Sequence, residues 1–295
     1  MPAPADLQTP PVRDGSPHGC VAPIVNVSGY RFTALDGLSE RRANLHAALL
    51  DTGVLGTVLL AGEGINVSLA GDEGAIGQAV RILDEDVRLA GLWLKRSVST
   101  SHPFSKLKVR IRREIIAFDG DAVPCIPRPD APRVAPATLR RWLDGERNVR
   151  LLDTRNDYEI EAGGFARATS LGIGHFRDFK AAVETALADG RLRLDEPLVT
   201  FCTGGIRCEK AAPWLLERGF DEVHQIEGGI LNWLEREGDA HWSGDCFVFD
   251  DRVSLTPALG ETGATLCPRC HRAVPAGEAC RCDERHGSRT ASDTV

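Results

Sequence analysis

The chain has 295 residues, 42% hydrophobic and 26% charged. That is the balance of a folded globular protein, not a fibre or a disordered chain, and the length suits two domains. Thirty-five basic and 42 acidic side chains leave a net charge of −7, so a polyanionic partner must be met by a local patch and not by the whole molecule. Nine cysteines without a charged-then-apolar leader point to a cytoplasmic protein whose cysteines serve as thiols, metal ligands or catalysts, and no apolar run reaches the roughly 20 residues of a membrane helix.

Residues 1–22 are rich in proline and poor in large apolar side chains, the composition of a disordered leader. Alternation from Ile24 to Leu35 predicts a strand, and Ser39 reads as the cap of a helix over Arg41 to Leu50. The apolar runs Gly56 to Ala61 and Ile65 to Ala70 flank Gly62-Glu63-Gly64 as a hairpin. Ile76, Val80, Leu83 and Val87 recur at helical spacing within Glu73 to Leu89, and Leu92 to Val98 and Lys108 to Phe118 read as strands. The order is that of a ferredoxin-like βαββαβ domain over residues 23–118. Five prolines between Phe118 and Pro136 mark a linker over 119–135. Beyond it, strands Arg150 to Asp153, Leu198 to Phe201 and Glu222 to Ile226 alternate with helices at Phe176 to Leu187, Glu209 to Arg218 and Ile230 to Glu235. This pattern predicts an α/β domain with a parallel sheet over 136–240, followed by an extension, 241–295, with a small Cys-rich tail.

The segment most informative about chemistry is Leu198-Val199-Thr200-Phe201-Cys202-Thr203-Gly204-Gly205-Ile206-Arg207-Cys208-Glu209-Lys210. A strand runs into a loop that opens on Cys202, holds two glycines and closes on Arg207 before a helix. Reactive groups in open α/β sheets collect at such strand ends. Glycines let backbone N–H groups converge on one centre, and a helix N-terminus and an arginine add positive charge, so Cys202 is expected as a thiolate nucleophile. Cys208 is open to two readings, resolution of an oxidised Cys202 or packing, with packing favoured.

These residues, together with Asp153-Thr154-Arg155, Tyr158-Glu159, Gly219-Phe220 and Gly228 to Trp233, resemble the rhodanese domain over about residues 135–237. The resemblance implies a persulfide on Cys202, a sulfur-binding loop of Thr203, Gly204, Gly205, Ile206 and Arg207, and a supporting, noncatalytic role for Asp153 and Arg155. Only four residues separate Cys202 from Arg207, one fewer than in the related phosphatases. Three further stretches, Gly62 to Asn66, Pro103 to Arg110 and Gly244 to Asp250, extend the likeness to the oxygen-dependent tRNA uridine hydroxylases. That family joins a ferredoxin-like domain to a rhodanese domain. It implies hydroxylation of the wobble uridine, position 34, to 5-hydroxyuridine, with molecular oxygen as co-substrate, the loop cysteine essential, and the tRNA anticodon stem-loop as partner.

A tRNA substrate needs positive charge. Between Leu92 and Ile116 stand Lys95, Arg96, Lys106, Lys108, Arg110, Arg112 and Arg113 against Glu114 alone, and the alternation from Lys106 to Arg112 places four cations on one strand face. Phe104 and His102 are candidates to stack on a base. No flavin, NAD or haem motif is visible, and no histidine is followed two residues later by Asp or Glu as in non-haem iron sites. In the tail, Cys267-x-x-Cys270 and Cys280-x-Cys282 have the pairing of a structural zinc site, with His271 and His286 as substitute ligands, against the alternative of a metal-free tail. Cys20, Cys125 and Cys246 carry no assigned role. The competing functions are a sulfurtransferase that passes on a Cys202 persulfide and a noncatalytic rhodanese-like binding module.

Overall fold

The computed structural model describes residues 23–118 and 131–282. The expected leader, most of the expected linker, Cys20, Cys125 and His286 lie outside them. The first domain runs β1 (Ile24–Phe32), α1 (Leu38–Thr52), β2 (Leu55–Ala61), β3 (Gly64–Gly71), α2 (Glu73–Asp84), β4 (Lys95–Ser99) and β5 (Leu107–Ile111). Its sheet has the order β4-β1-β3-β2-β5. The first four strands are antiparallel neighbours, as the ferredoxin-like plan requires, and β5 adds a parallel edge beside β2.

Strand periodicity divides the sheet into two unlike faces. Val25, Val27, Val58, Leu60, Ile65, Val67, Leu69 and Val109 pack with Leu49 of α1 and Ile76, Ala79 and Leu83 of α2. Their neighbours Asn26, Ser28, Tyr30, Thr57, Asn66 and Ser68 lie on the other face, which has no helix of its own domain and turns toward the second domain.

Several boundaries differ from the sequence reading, three of them for reasons the hydrogen bonds show. Arg41 donates its amide to the Gly37 carbonyl, so α1 starts at Leu38 and Ser39 lies in its first turn instead of capping it. Helix α2 stops at Asp84, not Leu89, because Leu89 and Ala90 donate their amides to the Asp86 carbonyl and Asp86 accepts from the Arg88 side chain. Strand β5 ends at Ile111, not Phe118, because residues beyond it are drawn to the second domain: Lys210 bonds the Ile116 carbonyl, and the Phe118 ring stacks on Phe176 in the second core.

The second domain comprises β6 (Arg133–Val134), α3 (Pro136–Arg141), β7 (Arg150–Asp153), α4 (Asp157–Ile160), β8 (Gly163–Phe165), β9 (Thr169–Ser170), α5 (Phe179–Ala188), β10 (Leu198–Phe201), α6 (Cys208–Glu217), β11 (Val223–Ile226) and α7 (Gly229–Glu237). Its sheet, β6-β11-β10-β7-β9, is parallel throughout. Phe179, Val183, Ala211 and Leu215 from α5 and α6 cover one face, and Leu139, Ile230 and Trp233 from α3 and α7 cover the other. Strand β6 lies in the stretch read as linker; flanked by Pro132 and Pro136, it takes an edge position, where a proline costs no ladder bond.

The extension folds back in three two-stranded pieces. Strand β12 (Trp242–Gly244) pairs with β8, β13 (Cys246–Phe247) with β14 (Ser254–Leu255), and β15 (Thr265–Leu266) with β16 (Ala273–Val274).

A buried charge cluster joins the two domains. Lys210 of α6 lies 2.9 Å from Glu63, in the β2–β3 turn, and 2.6 Å from Glu114. Glu63 also accepts the Ile115 amide at 2.8 Å. Burial raises the Glu63 carboxyl above its usual range even with Lys210 beside it. Removing one side of such a pair strands the other charge, at a cost of about 3–5 kcal/mol. Among the described residues, no helix is long and apolar enough to cross a membrane.

Candidate active site

Strand β10 is buried along its length and delivers Cys202 at its C-terminal end. Residues 203–207 then close a loop before α6. The first turn of α7 holds this loop from below: Ile230 and Leu231 donate their amides to the carbonyls of Cys202 (2.9 Å) and Thr203 (3.1 Å). This satisfies helix N-terminal donors with loop acceptors. The approach requires glycine at 229, where φ is +66° and a Cβ would lie 2.4 Å from the Cys202 carbonyl oxygen.

Cys202 is 1% exposed, and its Sγ accepts the Gly205 amide at 3.1 Å. Burial pushes the thiol pKa up. The neighbouring Cys208 thiol, the Arg207 charge and the amides of Arg207 and Gly205 outweigh it and bring Cys202 down to about 6. Cys208 moves the other way, raised by burial and by its neighbour, so Cys202 is the sulfur that carries charge. Cys208 also lies 3.8 Å from the Thr154 hydroxyl, in the core under the loop.

The Arg207 guanidinium is committed to a carboxylate. It makes two bonds, of 2.6 and 2.7 Å, to Glu159, which is fully buried and also accepts the Asn156 amide at 3.0 Å. Arg155 bonds Asp153 (2.7 Å) and the Gly163 carbonyl (2.8 Å), with its guanidinium against Trp242 and Phe201. Asp153 and Arg155 brace β7 and β8 behind the loop, and neither lines the cleft in front of it.

That cleft has a volume of about 500 Å³. Cys202, Thr203, Gly204, Ile206 and Arg207 form its inner wall, and the polar sheet face of the first domain forms its floor. Tyr30 rises from this floor; its hydroxyl donates to Glu209 at 3.0 Å and lies 2.9 Å from where a Gly205 side chain would begin, so it sits directly on the loop. Phe104 and Trp93, the latter 54% exposed, stand at the rim. His102 does not line the cleft.

The seven expected tRNA-binding cations separate into groups. Lys95 is 8% exposed and ion-paired with Glu235 of α7, so its charge ties the two domains together and is not free for a phosphate. Arg96 is paired with Glu73 on the surface. Lys106, Arg110, Arg112 and Arg113 are exposed and Lys108 partly so. Lys108 and Arg110 register with Thr57 and Leu59 of β2, which line the cleft. Parallel partners in register share a face, so these two cations extend the cleft floor to the sheet edge.

The tail brings Cys267, Cys270, Cys280 and Cys282 together, with all four Sγ atoms within 4.8 Å of one another. Cys267 and Cys282 are 3.9 Å apart, and Cys270 and Cys280 3.5 Å. A tetrahedron of thiolates at the usual zinc–sulfur length has edges of about 3.8 Å, so this cluster can hold a metal ion. His271 is not among the ligands; its ring packs against Tyr158.

Two family models match in succession: the UPF0176 acylphosphatase like domain over residues 24–115 and the rhodanese-like domain over 135–236. A tRNA uridine(34) hydroxylase of Bordetella petrii is 46% identical over 82% of this chain and 96% of its own length. One of Thiobacillus denitrificans is 45% identical over 82% of this chain and 98% of its own. The chain belongs to the tRNA uridine(34) hydroxylase family. The corresponding protein of Burkholderia pseudomallei is 42% identical over 85% of this chain and 86% of its own.

For a member of this hydroxylase family, the residues that sequence reasoning left without a role are informative. Glu159 was visible beside Tyr158, but only the fold brings it to Arg207. Tyr30 meets Glu209, and Glu63 meets Lys210, across the domain boundary, and no local spacing announces such partners.

The depressed Cys202 pKa has a direct consequence: its thiolate is lost as pH falls through about 6 and predominates at neutrality. Alkylation of Cys202 by iodoacetamide, followed by peptide mass spectrometry, is expected to have its midpoint near pH 6. Cys208→Ala is expected to move the midpoint upward. A wild-type midpoint in the ordinary thiol range, about 8.5, contradicts the assignment.

Proposed function

We propose that this protein hydroxylates uridine 34 of tRNA at C5 in an oxygen-dependent reaction, and that it does so in the cytoplasm on the anticodon stem-loop. The observation that carries the reading is the cleft itself: a low-pKa cysteine on one wall and, on the same floor, a strand edge bearing Lys108 and Arg110. The relatives named tRNA uridine(34) hydroxylase across nearly their full length support it. Conversion of the C5–H bond to C5–OH takes one atom of O2; the other is reduced to water with two protons and two electrons drawn from an external reductant. Cys202 is the essential residue, as thiolate or persulfide. Lys106, Lys108, Arg110, Arg112 and Arg113 hold phosphates. A sulfurtransferase acting on a small sulfur donor has no use for this cationic extension of the floor.

Phosphate contacts position the loop without reading its sequence. The wobble base, unstacked, then enters the cleft toward Cys202. Digested tRNA from a strain lacking the protein is expected to lose 5-hydroxyuridine and the nucleosides made from it. Wild type restores them and Cys202→Ser does not. Full restoration by Cys202→Ser, or no loss on deletion, overturns the reading.

We further propose that the four tail cysteines hold one structural zinc ion. The thiolates of Cys267, Cys270, Cys280 and Cys282 would close the coordination shell, which leaves no open position for chemistry. Purified protein is expected to contain one zinc per chain and Cys267→Ser to release it while leaving Cys202 alkylation unchanged. Equal zinc in wild type and variant removes the site.

A further inference from the structure

The Gly244 to Asp250 stretch contributes a turn to the cleft that the chemistry so far leaves unused. Residues 248–253 connect β13 to β14 and are fixed from several sides. Val248 donates its amide to the Val253 carbonyl (2.9 Å), and Asp251 to that of Pro103 (3.1 Å). Arg252 bonds Asp250 (2.6 and 2.8 Å) and reaches Ser97 of the first domain at 3.0 Å. On this well-held turn Phe249 is 63% exposed and lines the cleft. A large apolar ring held rigidly in the open has lost conformational freedom without burying its surface, which is the condition of a stacking platform awaiting a partner.

The surroundings of Phe249 indicate what the partner is. The Arg207 guanidinium is 5.8 Å from its ring centre, and Phe247 meets it edge-on at 5.3 Å. Phe247 in turn meets Tyr158 edge-on, and the Tyr158 hydroxyl accepts a bond from Asn156 Nδ2 at 2.9 Å. Asn156 lines the same cleft and is 7% exposed; its Oδ1 faces the head of α4 in a capping-box arrangement with Glu159, whose amide bonds the Asn156 carbonyl, and makes no well-formed hydrogen bond of its own among the described residues. With Nδ2 engaged by Tyr158, the atom left over is an acceptor, and a buried acceptor without a donor is unfavourable by about 1–3 kcal/mol. Phe249, Arg207, Asn156 and Cys202 thus combine a ring face, a fixed positive charge, an unmet acceptor and a thiolate around one cavity.

We propose that this corner seats the target pyrimidine ring, with its face on Phe249 and its N3–H donated to Asn156 Oδ1, so that the ring lies against Cys202. The seat rests on the reading of the protein as a uridine hydroxylase and deepens it by naming how uracil is chosen. Uracil carries a hydrogen at N3 where cytosine carries a lone pair, so the acceptor favours the first and opposes the second. A site built around a specific hydrogen bond discriminates mainly by leaving a buried group unpaired when the wrong ligand enters.

The test is binding of purified full-length protein to anticodon stem-loop RNAs that differ only in U or C at position 34. Wild type is expected to prefer the U34 RNA. Phe249→Ala is expected to weaken U34 binding by about 5- to 150-fold, the range for one stacked base, with Phe249→Trp restoring it. Asn156→Ala is expected to bring the U34-to-C34 ratio close to one. Both variants should keep the wild-type pH midpoint of Cys202 alkylation, which reports an intact loop. Wild-type preference for U34 with unchanged binding in Phe249→Ala, or an unchanged ratio in Asn156→Ala, overturns the seat and leaves the hydroxylase reading standing. Failure of the wild type to bind either RNA removes the hydroxylase reading and the seat with it.

Discussion

The Lys210 ammonium sits between Glu63 and Glu114 with almost no exposure to water, and Glu63 belongs to the hairpin turn of the other domain. Taking these charges out of solvent is tolerable only while all are present and in contact, so the pairing fixes where the β2–β3 turn meets α6. Four residues before Glu209, on the same stretch of chain, the loop glycine Gly205 meets Tyr30. Lys95 with Glu235 and Arg252 with Ser97 fix the opposite side of the interface. The result is that a polar sheet face, which in isolation would be open to solvent, becomes the floor of a cleft whose wall is the Cys202 loop.

This arrangement accounts for the division of labour among the charges. Lys95, at the domain interface, is neutralised by Glu235 and serves assembly, and Arg96 is paired with Glu73 on the surface of its own domain; on and beside β5, Lys106, Lys108, Arg110 and Arg112 carry no carboxylate partner among the described residues. The same logic holds inside the loop. Arg207 helps hold the Cys202 thiolate, yet its own bonds go to Glu159, so the loop carries its stabilising charge without offering a free guanidinium that would capture bulk phosphate.

Local patterns in the chain were enough to find most of this. Alternation and helical spacing located both sheets and most helices, because each element buries one face and the period is written in consecutive residues. The Cys202 loop was legible because its glycines, arginine and flanking strand are contiguous. What escaped was nonlocal. Lys95 looked like its neighbours in a basic run, and only the approach of α7 pairs it with Glu235. Residues 112–118 looked like a strand because Ile115, Ile116, Ala117 and Phe118 continue the apolar run of β5 past the charged Arg112 to Glu114, but their partners are Glu63, Lys210 and the Phe176 cluster of the second domain, so tertiary contacts override the local preference. Phe249 was part of a recognisable motif, yet its exposure depends on a turn held by Arg252, Pro103 and Ser97 from different parts of the chain.

The two domains build a single cleft, and in the proposed function a tRNA loop on the first domain's sheet presents its wobble base there to Cys202. Photo-crosslinking tests this most directly, with 4-thiouridine placed at position 34 of an otherwise unmodified tRNA and the attached peptide identified by mass spectrometry. Attachment is expected within the cleft wall, on the peptides that contain residues 202–207 or 248–252. Attachment to the helical face of the first domain, on α1 or α2, contradicts it.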